Sequence, residues 1–303
     1  MDFGKLADIR QVDFRLPPDA KRNLSVLSAV PQKGAPSLYI GTTRWSDPSL
    51  KGKIYPSAAP ASEFLYHYAR QFNTVEMNTT HYRIPSHGMV AQWREKTPPS
   101  FRFCPKVPQS ISHSPDFGAH QEATPSFLES LEAFGSQMGL SFMQLPPTFS
   151  PRRDGKKLFA YLAKWPRQLP LAVEFRHPGW FSEPAITERA HDLLQDYGLC
   201  SVITDTAGRR DVIHMQLTAK RVAIRFVGNA LHPSDYQRID AWIERIGQWL
   251  ELGLEELYFF VHQPEEHLCV DLAIYMISQI NKRLGQQLQL PKIVPEAKQQ
   301  RLF

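Results

Sequence analysis

Apolar runs of four to seven residues recur along the chain at 38–41, 73–78, 101–106, 140–145, 171–176, 199–205, 222–227 and 257–262. Proline, glycine and small polar residues punctuate the gaps, as they do around strands. Between most runs lie segments with apolar residues at helical spacing: 62–71, 88–96, 126–138, 155–164, 185–197 and 235–251. Another, 270–284, closes the series. The stretch after the sixth run, DTAGRRDVIHMQLTAK, is poorer and predicts only a short helix. Strands alternating with helices predict parallel βαβ units. Eight units over about 250 residues predict an α/β fold, the closed TIM (β/α)8 barrel. An open doubly wound sheet is the alternative, but no GxGxxG follows the first run to support it. Residues 1–36 are expected to form an irregular extension on the domain surface, 37–290 the barrel, and 291–303 a tail.

Side chains alternate across a strand, so each run has one face for the helices and one for the lumen. In LAVEFR, Leu171, Val173 and Phe175 share the apolar face, which sends Glu174 and Arg176 inward. The same logic sends Glu76 and Asn78 inward from the second run, Lys106 from the third, Arg225 from the seventh and His262 from the eighth. Gln144 ends the fourth run and Asp205 the sixth. These nine residues are expected to gather at the C-terminal mouth, where such barrels carry their sites. The following loops add Trp45, His81, Tyr82, Arg83, His113, His177 and Trp180. Aromatic rings supply stacking surfaces, while Arg and Lys fix phosphate or carboxylate groups.

A plainer reading competes. Buried charges must be paired, and Lys106 with Glu76 or Arg225 with Glu174 would make an inert ion-pair network. Barrel lumens are normally filled with branched apolar side chains, so polar ends on several strands favour a pocket. Glu76, Glu174, Asp205, His177 and His262 are residue types that ligate divalent ions. No HxxxH or HxH pair anchors that idea, and the basic residues nearby would already neutralise the carboxylates. A metal is therefore the minority alternative, and no cofactor is implied.

The net charge of +5 favours small anions or polyanions as partners. No block of like charges forms a basic tail for nucleic acid. Three cysteines without a CxxC spacing argue against a disulfide framework or a structural zinc site. Neither a signal peptide nor a membrane span is recognisable, so a cytoplasmic protein with no membrane partner is expected.

Five motifs occur in order: YIGTTRWSDPSLKGKIYP, FNTVEMNTTHYRIP, FRFCPKVPQSISH, MQLPPTF and LAVEFRHPGWF. Together, over residues 38–284, they resemble the YecE-like family, domain of unknown function 72. The resemblance implies a TIM barrel and names no reaction. It implies site residues at Glu76, Asn78, Tyr82, Arg83, Lys106, His113, Gln144, Glu174, Arg176, His177 and Trp180. Four positions depart from the family pattern. Arg44 replaces a glycine, Val227 a histidine, and His262 with Gln263 the usual asparagines.

Three function classes follow. The first is an enzyme acting on a small anion, such as a sugar phosphate or carboxylate. Glu174 would be its acid or base, and Lys106 would polarise a carbonyl or hold the anion. Arg83, Arg176 and Arg225 would clamp charge, and His113 or His177 would shuttle a proton. The second is nucleic-acid binding or processing. The third is a non-catalytic ligand-binding protein with a degraded site.

Overall fold

The computed structural model describes residues 4–28 and 34–294. Most of the expected C-terminal tail, from residue 295 onward, lies outside the described residues. Eight strands coincide with the eight apolar runs: β1 (Ser37–Thr42), β2 (Thr74–Met77), β3 (Arg102–Pro105), β4 (Ser141–Gln144), β5 (Leu171–Glu174), β6 (Cys200–Asp205), β7 (Arg221–Val227) and β8 (Glu256–His262). Their order in the sheet is β3-β2-β1-β8-β7-β6-β5-β4, with all strand pairs parallel. Short bridges, Phe103 to Met138 and Lys106 to Phe142, bring β3 to β4 and close the ring. The fold is a TIM-type α/β barrel.

The helices are α1 (Arg22–Ser28), α2 (Phe64–Tyr68), α3 (His87–Glu95), α4 (Gln109–Ser112), α5 (Ala123–Glu132), α6 (Pro151–Leu162), α7 (Pro184–Asp196), α8 (Pro233–Leu252) and α9 (Glu266–Leu284). Two differ from expectation. The segment 62–71 is a 3-10 turn followed by the short α2, and the segment 126–138 stops being α-helical after Glu132. Gly135, at φ 53, turns the chain there and ends that helix.

Outward strand residues such as Val75, Phe103, Val173, Ile224 and Phe259 pack in the layer between strands and helices. Inside the barrel, Cys104, Phe142, Ala172, Val202, Ala223 and Phe260 form a compact apolar plug. The alternation read from the runs is therefore the alternation observed, except in β6, where Asp205 faces outward. At the N-terminal end of the lumen, Arg221 pairs with Glu256 at 2.6 Å. Above the plug sits a polar layer.

The N-terminal extension is not irregular throughout. After β6 the chain makes only a 3-10 turn, Arg210–Val212, so the sixth unit has no helix of its own. Helix α1 stands in that place. Arg22 reaches Asp192 of α7 at 2.6 Å. Asn23 donates to the Met215 carbonyl and accepts from the Leu217 N–H, both at 2.9 Å. On the other side, Asp19 accepts from Arg245 at 2.6 Å and from Trp249 at 3.0 Å, both on α8. Ahead of α1, Phe14 lies under the guanidinium groups of Arg210 and Arg238, at 5.4 and 4.9 Å. At the far end of this strap the Gly4 carbonyl accepts from the Gly208 N–H at 2.7 Å and the Thr206 hydroxyl at 2.9 Å. Gly4 has φ +72, and a Cβ there would meet Thr206 at 2.4 Å, so both backbone and space favour glycine. The strap thus ends beside the mouth of the barrel. Among the described residues, no helix is long and apolar enough to cross a membrane.

Candidate functional site

The polar layer is built from strand ends. Arg225 on β7 donates from Nε and Nη2 to the two oxygens of Glu76 on β2, both at 2.8 Å. Its Nη1 donates to Glu174 Oε2 on β5, also at 2.8 Å. Glu174 further accepts from Arg176 Nε at 3.0 Å, Gln144 Nε2 at 2.7 Å and Thr204 Oγ1 at 3.1 Å. Glu76 accepts from Asn78 at 2.8 Å and meets His262 Nε2 at 3.1 Å. Both carboxylates are buried, which alone would raise them. For Glu174, Arg176 and Arg225 outweigh burial and hold the carboxyl at about 2. For Glu76, Arg225 and His262 hold it well below its ordinary range. Both therefore remain anionic and fully used within the floor.

Lys106 stands differently. Its Nζ donates to Gln144 Oε1 at 2.8 Å, and among the described residues no carboxylate forms an ion pair with it. Burial, then the charge of Arg225, lowers this amine to about 8. The Lys106 side chain borders a cavity of about 600 Å3 at the C-terminal mouth. Glu76, Gln144 and His262 face the same cavity from the floor. Its rim carries Thr43, Arg44, Trp45, His81, Tyr82, Val227, Gln263 and, from the N-terminal strap, Lys5. His81 sits on the 3-10 turn after β2, with Nδ1 3.0 Å from the Val107 carbonyl. A carbonyl only accepts, so Nδ1 carries the hydrogen and Nε2 the lone pair. Burial and the nearby Lys106 hold this imidazole neutral, at about 4.

The family model described as "Protein of unknown function DUF72" matches residues 39–299. The chain belongs to the DUF72 family. The UPF0759 protein YecE of Escherichia coli K12 is 30% identical over 274 residues, covering 84% of this chain and 97% of that protein. YunF of Bacillus subtilis, another UPF0759 protein, is 27% identical over 153 residues, 48% of this chain and 53% of its own. Among solved structures, a DUF72 protein of Enterococcus faecalis superposes with TM-score 0.66 at 21% identity, covering 83% of this chain and 99% of that one. A DUF72 protein of Thermotoga maritima gives 0.60 at 25% identity, covering 82% and 100%. The crystal structures agree with the barrel built above.

The departures from the usual DUF72 motifs share one place. Arg44, Val227, His262 and Gln263 all border the mouth. Gln263 spans two loops: its side chain donates to Asp235 at 3.1 Å and accepts from the Ala230 N–H at 2.9 Å. Gly228 makes room for it, since a Cβ there would lie 2.2 Å from Gln263 Nε2.

Not every expected residue joins the site. Asp205 points outward, away from the mouth. It accepts from Arg238 at 2.8 Å, from Trp242 Nε1 at 2.9 Å and from Arg210, and so ties α8 to β6. Trp180 is buried in the helix layer, donating to the Phe149 carbonyl at 2.9 Å and packing 4.4 Å from Phe175. His177 caps the Pro178–Trp180 turn by accepting from the Gly179 N–H at 3.0 Å. Neither lines the mouth cavity. Arg83 and His113 are exposed outside that lining, although the His113 ring lies 5.1 Å from His81. Tyr82 is on the rim and 75% exposed, which leaves its face open to a ligand. Arg176 is in the floor beneath. Lys5 and Thr43 were outside the expected set, while Trp45, expected from the first loop, is on the rim. His81 and Arg44 were visible in the loop motifs, but only geometry brings them to the cavity. Among the described residues, no three His, Cys, Asp or Glu side chains converge as metal ligands.

Proposed function

We propose that this protein binds, and converts, a small phosphate- or carboxylate-bearing molecule in the mouth of its barrel. One observation carries the reading. The floor holds two carboxylates, Glu76 and Glu174, against three cations, Arg225, Arg176 and Lys106. Arg225 and Arg176 consume the carboxylates, so the excess positive charge falls on Lys106, the group that borders open space. Lys5 stands at the rim, with Arg44, which is shared with Glu266 at 3.5 Å and Asp47 at 3.8 Å. Such a concave, polar, cationic site suits a small anion. Glu174 has no vacant role as an acid or base in this reading, because four donors satisfy its oxygens. Proton transfer falls to His81.

Thermal-shift measurement with inorganic phosphate, a sugar phosphate and a 2-oxo acid tests the reading at low ionic strength. Stabilisation by one of them, lost in Lys106→Met, is expected. Equal response of wild type and variant would remove the mouth as the site.

The exposed Tyr82 ring favours a second reading, in which a base of single-stranded nucleic acid stacks at the rim. Tight oligonucleotide binding at physiological salt, lost in Tyr82→Ala, would favour it over the small-anion reading.

A further inference from the structure

We propose that Lys106 is a nucleophile, whose Nζ adds to the carbonyl carbon of a small aldehyde or 2-oxo acid in the mouth and forms an imine. The proposal rests on the mouth being the ligand site, and goes further by naming carbonyl chemistry. Four features of the geometry support it.

Lys106 lies just past the C-terminal end of β3, points into the lumen and borders the cavity while only 6% exposed. A lysine kept purely as a charge is usually held by a carboxylate. Here Glu76 and Glu174 are taken by arginines, and the ammonium meets a neutral amide instead. Gln144 cannot turn away, because its own amide is fixed to Glu174 at 2.7 Å. Its oxygen can hold one N–H of the neutral amine, which leaves the nitrogen lone pair to point elsewhere. Removing the proton therefore breaks no ion pair. With the amine at about 8, about a tenth of it is unprotonated at pH 7. That far exceeds the fraction for a lysine in water, and activation by desolvation and neighbouring cations is how amines become nucleophiles.

His81 is the second participant. Its Nε2 carries a lone pair on a ring that borders the same cavity. The step balances without an oxidant or reductant. The Nζ lone pair attacks the carbonyl carbon, and the π electrons move to oxygen. The added nitrogen gives a proton to His81 Nε2, which passes it to the alkoxide oxygen and so forms the carbinolamine. The C–OH bond then breaks as the nitrogen lone pair forms the C=N bond, and the nitrogen's remaining proton reaches the departing hydroxide through His81, leaving as water. Lys5 and Arg44, the latter shared with Glu266 at 3.5 Å and Asp47 at 3.8 Å, border the space that the substrate's anionic group would take, which favours an anionic carbonyl compound.

The test uses the full chain with glyoxylate and cyanoborohydride, followed by digestion and peptide mass analysis. Reduction converts a trapped imine at Lys106 into a carboxymethyl-lysine. Labelling of Lys106 at least about tenfold above the exposed Lys157 is expected. Lys106→Arg keeps the charge and removes the nucleophile. It should lose the label at 106. Labelling of Lys106 no greater than that of Lys157 would overturn the imine, whatever the phosphate result. Loss of the phosphate shift in the wild type would overturn the anion site instead. Should Lys106→Arg not fold, the wild-type labelling ratio still decides the matter.

Discussion

Arg225 and Glu76 face each other through two parallel hydrogen bonds of 2.8 Å, across the barrel from β7 to β2. The remaining Nη1 of the same guanidinium crosses to Glu174 on β5. One side chain thus ties three strands together and neutralises a pair of buried carboxylates. The planar fork of Arg fits this arrangement, and a Lys in its place would not.

Replacing this residue should be costly. Arg225→Met leaves Glu76 and Glu174 buried with too little positive charge. Breaking a buried pair in this way costs about 3–5 kcal/mol. Urea denaturation should show the loss as a lower midpoint. A change under about 1 kcal/mol would mean that the floor is wet or that the carboxylates take up protons without penalty.

Asp205 should matter for stability and not for the ligand. Asp205→Asn strips charge from a carboxylate that serves Arg238, Arg210 and Trp242. A loss of about 3 kcal/mol is expected. Phosphate should still raise Tm by as much as in the wild type. A weakened phosphate response at unchanged Tm would return Asp205 to the site.

Stability should respond to acid in two stages. His81 and His214 are held at about 4, first by burial, below their ordinary 6.5. Between those values the unfolded chain binds protons that the folded chain refuses, so stability falls as pH drops from 6.5 to 4. Glu174 adds the second stage. Held at about 2 against an ordinary 4.5, it contributes stability above 4.5 that is lost as pH falls toward 2. Lys106 acts at the other end. Its proton leaves the folded chain near 8 and the unfolded chain near 10.5, so its contribution rises across that window. Tm against pH should show a decline beginning near 6.5, made shallower in His81→Gln. An acid limb that is identical in that variant would remove His81 from the account.

Removing residues 1–28 should destabilise the barrel far more than any single contact suggests. The deletion uncovers the gap between α7 and α8 and leaves the Met215 carbonyl and Leu217 N–H without Asn23. Limited proteolysis should then cut in the 206–218 segment. Arg22→Ala tests the same helix gently, since Asp192 is half exposed and the pair is worth about 0–1 kcal/mol. If the truncated chain melts with the intact one, α1 is ornamental.

The barrel was legible because strands covered on both faces read as nearly continuous apolar runs. The inward charges were legible because a glutamate or arginine marks phase in strands such as LAVE and RVAIRFV. In CSVITD that marker fails. Val202 faces in and Ile203 faces out, so both phases look apolar, and Asp205 was assigned to the wrong side. Trp180 was misplaced for another reason. The Pro178–Trp180 turn folds the chain back on itself and lays the indole against Phe175. Lys5 carried no local signal, since its neighbour Gly4 is held by Thr206, 202 residues away.

That stand-in helix also bears on how the chain comes off the ribosome. Helix α1 and the residue ahead of it must wait for partners far downstream: Asp192 is 170 and Gln216 194 positions after Arg22, and Trp249 is 230 after Asp19. Closing such long loops is entropically slow, so docking of α1 belongs near the end of folding. During synthesis the sixth sector of the barrel stays open until the seventh and eighth units have emerged. In that interval the unfinished wall presents apolar surface, and α1 is available to other binders, chaperones included.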